Sequence, residues 1–143
     1  MPKRILVPLD RSDAAQGVLP MVGHLARGSG ATVRLLHIAP IPEGRVAPNG
    51  RVIAYASQEM ERIQFNRLGY LRTAAAQLEG VPVESVVRFG DPVKEIICEA
   101  EAFGADLIAL TTSNRSGLRR VRSGVAGKVF RKADVPVMLL GTR

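Results

Sequence analysis

The fold of this chain is decided by Leu107-Ile-Ala-Leu-Thr-Thr-Ser-Asn-Arg-Ser-Gly-Leu-Arg-Arg-Val-Arg-Ser-Gly124, an apolar run that breaks into a polar, basic loop. The apolar run predicts a buried strand, and the loop supplies hydroxyl, amide and guanidinium groups. From Ser123 a helical spacing of apolar residues resumes at Val125, Val129, Phe130 and Ala133. A strand, a polar loop and a helix start in this order form the usual frame of an anion site, because free backbone N–H groups and the helix dipole point into the loop.

Apolar runs of strand length recur along the whole chain. The first run is continuous rather than alternating, which favours a strand buried on both faces and therefore a parallel sheet. The third run contains Pro82 and predicts an edge strand, where a missing N–H is tolerated. The five predicted strands are Arg4–Leu9, Ala31–Ile38, Val81–Phe89, Asp106–Leu110 and Val135–Leu140.

Helical spacing separates these strands. The first helix spans Val18 to Ala26, with a kink expected at Pro20, and stops at the glycines before Ala31. A long amphipathic helix is predicted from Val52 to Leu78, after a loop without periodicity between Pro40 and Gly50. The next helix has Asp91 as N-cap and Pro92 as first residue, and it runs to about Phe103.

Alternation of five strands and four helices predicts an α/β fold, with residues 1–143 forming one domain. The expected architecture is a single open five-stranded parallel sheet of order 3-2-1-4-5, with helices on both faces. Ligands of such sheets bind where the winding reverses, at the carboxyl ends of strands 1 and 4. The loops at Pro8–Ser12 and Thr111–Gly124 should therefore flank one crevice.

The net charge of +7 is local rather than spread over the chain. The stretch from Arg115 to Lys132 holds seven basic residues and no acidic one, which equals the whole excess. Such a loop fits a phosphate ligand or an acidic protein partner. The chain has no tryptophan and few aromatic residues, so it lacks the stacking platform of single-strand binders, and nucleic acid ranks last.

One cysteine, Cys98, excludes an internal disulfide framework and favours a reducing compartment. No apolar run approaches the roughly 18 residues of a membrane span, and the amino-terminal run is too short for a signal peptide. We expect a cytoplasmic protein with no membrane contact.

Six segments, taken in order, resemble the universal stress protein family. This resemblance implies an adenine-nucleotide alpha-hydrolase-like fold and a homodimer that forms through Val135–Leu140. It also implies that ATP or another adenine nucleotide, with Mg, is bound in some members and absent in others. The matching segments are Ile5–Ser12, Leu35–Ile38, Gly90–Ile96, Gly104–Thr112, Arg115–Arg120 and Val135–Leu140.

The glycine motif of the ATP-binding members is degenerate here. Those members carry Gly, two residues, Gly, nine residues, then Gly followed by Ser or Thr; Thr111 and Asn114 stand at the first two glycines. The third falls on Gly124 followed by Val125, or on Ser123 followed by Gly124 when the count runs backwards from the last strand. Thr111, being β-branched, resists the positive φ that glycine permits. Arginines of the loop could compensate by charge-assisted contacts to phosphate.

The resemblance also implies roles for individual residues. Asp10 contacts ribose or a magnesium ion that arrives with the nucleotide, although it could instead cap the first helix. Leu9 and Ile38 line the adenine pocket, and the phosphates meet the loop. The nucleotide-binding residues predicted in this way are Pro8, Leu9, Asp10, Ile38, Thr111, Asn114, Arg115, Ser123, Gly124 and Val125.

The predicted function is a small regulatory module that binds an adenine nucleotide or another anion. The alternative is a stress protein that binds no nucleotide and docks an acidic partner through its basic loop. Weak ATP hydrolysis ranks lower, because Asp10 is the only candidate base. A triad of Ser12, His37 and Asp106 is rejected, since no Gly-x-Ser-x-Gly elbow is present and Asp106 is expected to be buried in a strand. We interpret His37 as a core histidine.

Overall fold

The structure is a computed structural model that describes residues 2–12, 15–43, 45–46, 48–50, 52–113 and 124–142. The helices are α1 Leu19–Ser29, α2 Ala56–Ala75, α3 Pro92–Phe103 and α4 Val125–Lys132, and a 3-10 turn covers Ala15–Val18. The strands are β1 Arg4–Pro8, β2 Thr32–Ala39, β3 Arg45–Val46, β4 Val52–Ala54, β5 Val83–Phe89, β6 Leu107–Ser113 and β7 Val137–Thr142.

The main sheet has the strand order β5-β2-β1-β6-β7, and each pair of neighbours is parallel. This is the predicted order 3-2-1-4-5, so the predicted fold is confirmed. β5, which begins directly after Pro82, lies at an edge of the sheet as expected.

The central strand β1 is buried on both faces because its side chains alternate between two cores. Ile5 and Val7 pack with α1 and α2, whereas Leu6 packs with α3 and α4. All three are fully buried. The continuous apolar run that predicted a parallel sheet is therefore the run that anchors both helix layers.

The ends of α3 follow local sequence signals. The Asp91 carboxylate accepts a hydrogen bond from the Lys94 amide at 2.9 Å, and Pro92 occupies the first turn, where its missing N–H is not needed. Gly104 closes the helix with φ of 68°, a left-handed conformation that glycine adopts without strain.

The expected kink at Pro20 is wrong. Pro20 lies in the first turn of α1, where proline fits the helix geometry, so α1 begins there instead of bending. The turn before it is capped by Ser12, whose Oγ accepts a hydrogen bond from the Ala15 amide at 3.0 Å.

Several other boundaries differ from the prediction, and β6 continues through Ser113 into the stretch predicted as a loop from Thr111. Within the stretch predicted as a loop and as the start of a helix, β3 and β4 form a short antiparallel hairpin, and α2 begins only at Ala56. The hairpin turns at Pro48-Asn-Gly50, with Gly50 at φ of 84°. Strands of two and three residues are too short to show a period, which is why the sequence pattern missed them.

The expected burial of Asp106 is also wrong. Asp106 precedes β6 and is exposed at the amino end of the sheet, where its Oδ2 accepts hydrogen bonds from the amides of Lys3 at 2.9 Å and Arg4 at 3.0 Å. These amides hold the pKa of Asp106 below its ordinary value. Asp106 thus fastens the start of β1 to the start of β6, far along the strands from the carboxyl ends.

A buried carboxylate on α3 joins two strands. Glu99, whose side chain is 5% exposed, accepts hydrogen bonds from Arg34 on β2 at 2.7 Å and from Arg88 on β5 at 2.8 Å. Arg34 also stacks over the Phe103 ring at 4.2 Å from its centroid. The contact with Glu99 raises the pKa of Arg88 against the opposing effect of burial.

Replacing this carboxylate should strongly destabilise the fold. Glu99→Gln leaves two guanidinium groups partly desolvated without their shared anion, so we expect the free energy of unfolding to fall by about 2–4 kcal/mol. The matched control is Glu84→Gln, which removes another Arg34 contact from a side chain that is 51% exposed; at most about 1 kcal/mol should be lost there. Urea unfolding measures both, and equal losses would contradict the central role of Glu99.

Candidate functional site

A crevice opens at the carboxyl ends of the two central strands. β1 pairs with β2 over five residues but with β6 only over Ile5–Leu107 and Leu6–Ile108, so β1 and β6 separate beyond Leu6. The separation leaves a cavity of about 160 Å³, roughly ten times the volume that one water molecule needs. Its lining residues are Pro8, Leu9, Asp10, Ala15, Leu36, Ile38, Pro92, Ile96, Leu110, Thr111, Val125 and Ala126.

The position of the cavity follows from the strand order. The chain leaves β1 towards β2 on one side and reaches β6 on the other, so the connections after β1 and β6 run in opposite directions. Open parallel sheets bind ligands at this switch point. The topology therefore creates the crevice before any particular side chain is considered.

The walls are mostly apolar, with polar groups at the rim. Leu9, Leu36, Ile38, Ile96 and Leu110 form an apolar slot, a lining typical of small-molecule pockets. Asp10 and Thr111 provide the polar side chains of the lining.

Two helices begin at the cavity, and their ends differ. At α3, Asp91 caps the first amides. At α4, the N-cap is Gly124, which has no side chain that could accept from the first amides of that helix. Helix N-termini carry unpaired N–H groups and partial positive charge, so the α4 end favours an anion at this side of the cavity.

Asp10 organises the turn after β1. Its Oδ1 accepts hydrogen bonds from the Ser12 amide at 3.0 Å and from Ser12 Oγ at 2.6 Å. Because Ser12 Oγ in turn accepts from Ala15, Asp10 supports the cap of the following turn through Ser12. Both bonds use Oδ1, so a ligand or metal contact would use Oδ2.

His37 lies on β2 between the cavity-lining Leu36 and Ile38, on the opposite face of the sheet, and is 5% exposed. Its Nδ1 lies 2.8 Å from the Leu9 carbonyl, and since a carbonyl only accepts, Nδ1–H donates. Burial lowers the pKa of His37, and Arg67 and Arg11 lower it further, against the opposing effects of the Leu9 bond and Asp10. The interpretation of His37 as a satisfied core histidine is confirmed.

The structure brings most of the predicted site residues together. Six of them line the cavity: Pro8, Leu9, Asp10, Ile38, Thr111 and Val125. Gly124 directly precedes this wall as the N-cap of α4. Asn114, Arg115 and Ser123 lie outside the described residues.

Other lining residues were not predicted. Leu36, Ile96 and Leu110 have the apolar pattern of core residues, which does not distinguish a cavity wall from a packed interior. Pro92 could have been found, because it starts the helix that follows the carboxyl end of β5. Nothing in the sequence except their small size marks Ala15 and Ala126 as cavity-lining residues.

A profile described as the Universal stress protein family matches residues 1–141. The chain belongs to this family. It is 27% identical over 145 residues to universal stress protein YxiE of Bacillus subtilis, covering 96% of this chain and 97% of that protein. It is also 26% identical over 139 residues to universal stress protein MJ0531 of Methanocaldococcus jannaschii, covering 96% and 81%.

Solved structures of universal stress proteins share the fold. One in complex with cAMP superposes with a TM-score of 0.76 at 18% identity, covering 99% of this chain and 98% of that one. One from Archaeoglobus fulgidus in complex with dAMP has a TM-score of 0.61 at 22% identity, covering 96% of each. These similarities establish the architecture of this universal stress protein.

Among the residues that the structure describes, no group of three or more His, Cys, Asp or Glu side chains is placed to hold a metal ion. Magnesium often binds through one carboxylate together with substrate phosphates. A single carboxylate, that of Asp10, would therefore be enough for magnesium that entered with a nucleotide. In the described part of the chain, no helix combines the length and apolar character needed to cross a membrane.

The buried His37 should make stability depend on pH. Since its pKa is lower in the fold than in the unfolded chain, the unfolded chain takes up the proton first. The free energy of unfolding should therefore fall as pH drops below about 6.5. His37→Asn keeps an N–H donor for the Leu9 carbonyl and cannot titrate, so this fall should shrink.

Urea unfolding between about pH 7.5 and 5.5 measures this dependence. His24→Asn, which removes the exposed histidine on α1, is the matched control and should leave the pH dependence unchanged. An unchanged slope in His37→Asn would show that another group is responsible.

Proposed function

We propose that this universal stress protein binds an adenine nucleotide, ATP or AMP, or a related anion, in the crevice between β1 and β6, and that it acts as a regulatory module. The observation that carries the proposal is the cavity itself, whose described lining combines an apolar slot, the carboxylate of Asp10 and the first residues of a helix. These groups match in turn a base, a ribose or magnesium ion, and a phosphate.

Each part of the nucleotide has a place in this arrangement. The adenine ring would lie between Leu9 and Ile38, and Asp10 Oδ2 would accept from a ribose hydroxyl or hold magnesium. The phosphates would meet Gly124 and the start of α4, together with the predicted contacts Asn114, Arg115 and Ser123. Relatives of this fold are known in complex with cAMP and with dAMP, which supports adenine recognition.

Thr111 bears on which nucleotide binds best. It stands in the cavity wall where ATP-binding members carry glycine, so its side chain occupies space that a phosphate chain would need. A short phosphate group is therefore favoured over a long one unless arginines between residues 115 and 122 take over the contacts.

Hydrolysis is the weaker proposal. The carboxylate of the described cavity wall is Asp10, and its Oδ1 is already engaged by Ser12. If the protein does hydrolyse ATP, phosphate release should be lost in Asp10→Ala.

The binding proposal is tested by thermal unfolding of nucleotide-free protein with ATP, ADP and AMP. A ligand at a hundredfold its dissociation constant stabilises the fold by about 2.7 kcal/mol, which corresponds to roughly 5–10 °C in a chain of this size. Val125→Trp should abolish the rise, because Val125 lines the cavity and an indole there would fill it.

The matched control is Phe130→Trp on the same helix. Phe130 is 57% exposed and lies roughly 140° around α4 from Val125, so its substitution should leave the rise intact. No rise with any nucleotide would reject the proposal and favour the alternative, in which the basic residues from Arg115 to Lys132 bind an acidic partner.

We also propose that the protein dimerises through its last strand, predicted as Val135–Leu140 and observed as β7 Val137–Thr142. β7 is an edge strand with partly buried apolar side chains, and pairing with a second copy would cover that edge. Sedimentation at micromolar concentration should give the mass of a dimer, and a monomer would refute the proposal.

A further inference from the structure

Three arginines belong to the α2 side of β1 or to the turn after it, outside the cavity between β1 and β6. Arg11 follows the end of β1, and Arg62 and Arg67 lie on α2. Arg62 is paired with Glu59 at 2.8 Å. Within the described ranges, neither Arg11 nor Arg67 pairs with a carboxylate, and the hydrogen bond of Arg67 goes to the neutral Asn66 amide oxygen at 2.9 Å. Two cations of this region therefore have no carboxylate partner among the described residues.

Two buried donors accompany this charge. Arg67 Nε and Tyr70 Oη are both buried and have no hydrogen-bond partner in the described part of the protein. Arg67 and Tyr70 are three residues apart on α2, so they share a helix face. A buried donor without a partner destabilises the fold, so native proteins rarely keep two together without a reason.

The backbone conformation of Arg11 is a further unusual feature of this region. Arg11 has φ of 75°, the one left-handed conformation at a residue other than glycine among those described. This conformation is unfavourable for a long side chain, and the hydrogen bonds that Ser12 donates to Asp10 span this residue. Burial is the main cause of the lowered pKa of Arg67, and the positive charges of Arg11 and Arg62 lower this pKa further.

His37 locates the cluster relative to the sheet. Its ring contacts Tyr70 edge-on with centroids 6.2 Å apart, while its Nδ1 bonds to the Leu9 carbonyl. Arg11, Arg67 and Tyr70 therefore lie around the end of β1, on the face covered by α1 and α2. None of the three lines the cavity described above.

We propose that Arg11, Arg67 and Tyr70 form an oxyanion site that takes a phosphate group and is separate from the adenine slot. Guanidinium groups bind phosphate oxygens in pairs, and a phenol adds a further donor. One bound anion would supply the missing acceptors and cancel the repulsion between the two arginines. Water could supply acceptors for Nε and Oη, but it would not neutralise the charge.

The phosphate could be free inorganic phosphate or the phosphate of a nucleotide whose base lies in the neighbouring slot. Both sources present the same oxygens to the same donors. The first test uses inorganic phosphate alone, so it does not depend on nucleotide binding in the crevice.

The thermal midpoints of wild type and Arg67→Gln are measured in chloride and in millimolar phosphate at equal ionic strength. In chloride, Arg67→Gln should unfold at the same or a higher temperature, because it removes a repelled, partly buried charge. In phosphate the order should reverse, with the affinity of the variant lowered about tenfold or more. A merely structural arginine would give a lower midpoint in both buffers.

Arg72→Gln is the matched control, since it removes one positive charge from an exposed position on the same helix. Phosphate stabilises many proteins non-specifically, and that effect should be equal in wild type and Arg72→Gln. Tyr70→Phe removes only the hydroxyl and should also weaken the phosphate response. Equal phosphate responses in wild type, Arg67→Gln and Tyr70→Phe would overturn the site.

Adenosine and AMP then distinguish the two sources. If the gain of AMP over adenosine disappears in Arg67→Gln, the site receives the phosphate of the nucleotide. If that gain persists while the inorganic phosphate response is lost, the ligand is a free phosphate. If neither the gain nor the inorganic response changes, the proposal is wrong.

Discussion

The structure depends on burying β1 on both faces. A parallel strand between two helix layers can carry polar groups only at its ends, because a polar side chain in its middle would lie in one of two dry cores. Ile5, Leu6 and Val7 satisfy this requirement, and the polar residues Asp10, Arg11 and Ser12 follow only once the strand has ended. Polar groups that could contact a ligand are therefore confined to the ends of the strands, where they are close together.

The early separation of β1 and β6 leaves a cavity at these strand ends. With only two residue pairs between them, these strands diverge and leave a gap that neighbouring side chains line but do not fill. β1 meanwhile stays bonded to β2, through the Leu9 amide and the Leu36 carbonyl at 2.8 Å and through His37. The β1 part of the crevice lining is thus held by a strand pair and a buried histidine, while the start of α4 forms another part of the lining.

The sequence predicted the fold well because its strongest signals are local. Continuous apolar runs, the Asp91-Pro92 helix start and Gly104 each depend on a few neighbouring residues, and each appears where expected. The hairpin of β3 and β4 was missed because its strands are too short to show a period. Part of the candidate site followed from topology, through Asp10 and Thr111 at neighbouring strand ends. Leu36 and Ile96 carry no mark that separates a cavity wall from a core, and the proximity of Arg11 to Arg67 requires the packed position of α2.

The tight turn after β1 places two consecutive residues towards two different regions. Asp10 lines the crevice, whereas Arg11, which has a left-handed backbone, is not among the lining residues, and its charge lowers the pKa of Arg67. A ligand that shifts the backbone of one of these residues also shifts the peptide that they share. If a ligand in the crevice favours one geometry of this turn, it changes the affinity of Arg11 for an anion. By thermodynamic reciprocity, the anion changes the affinity of the crevice for its ligand by the same factor. One peptide bond would thereby make this small protein a sensor of two solutes jointly.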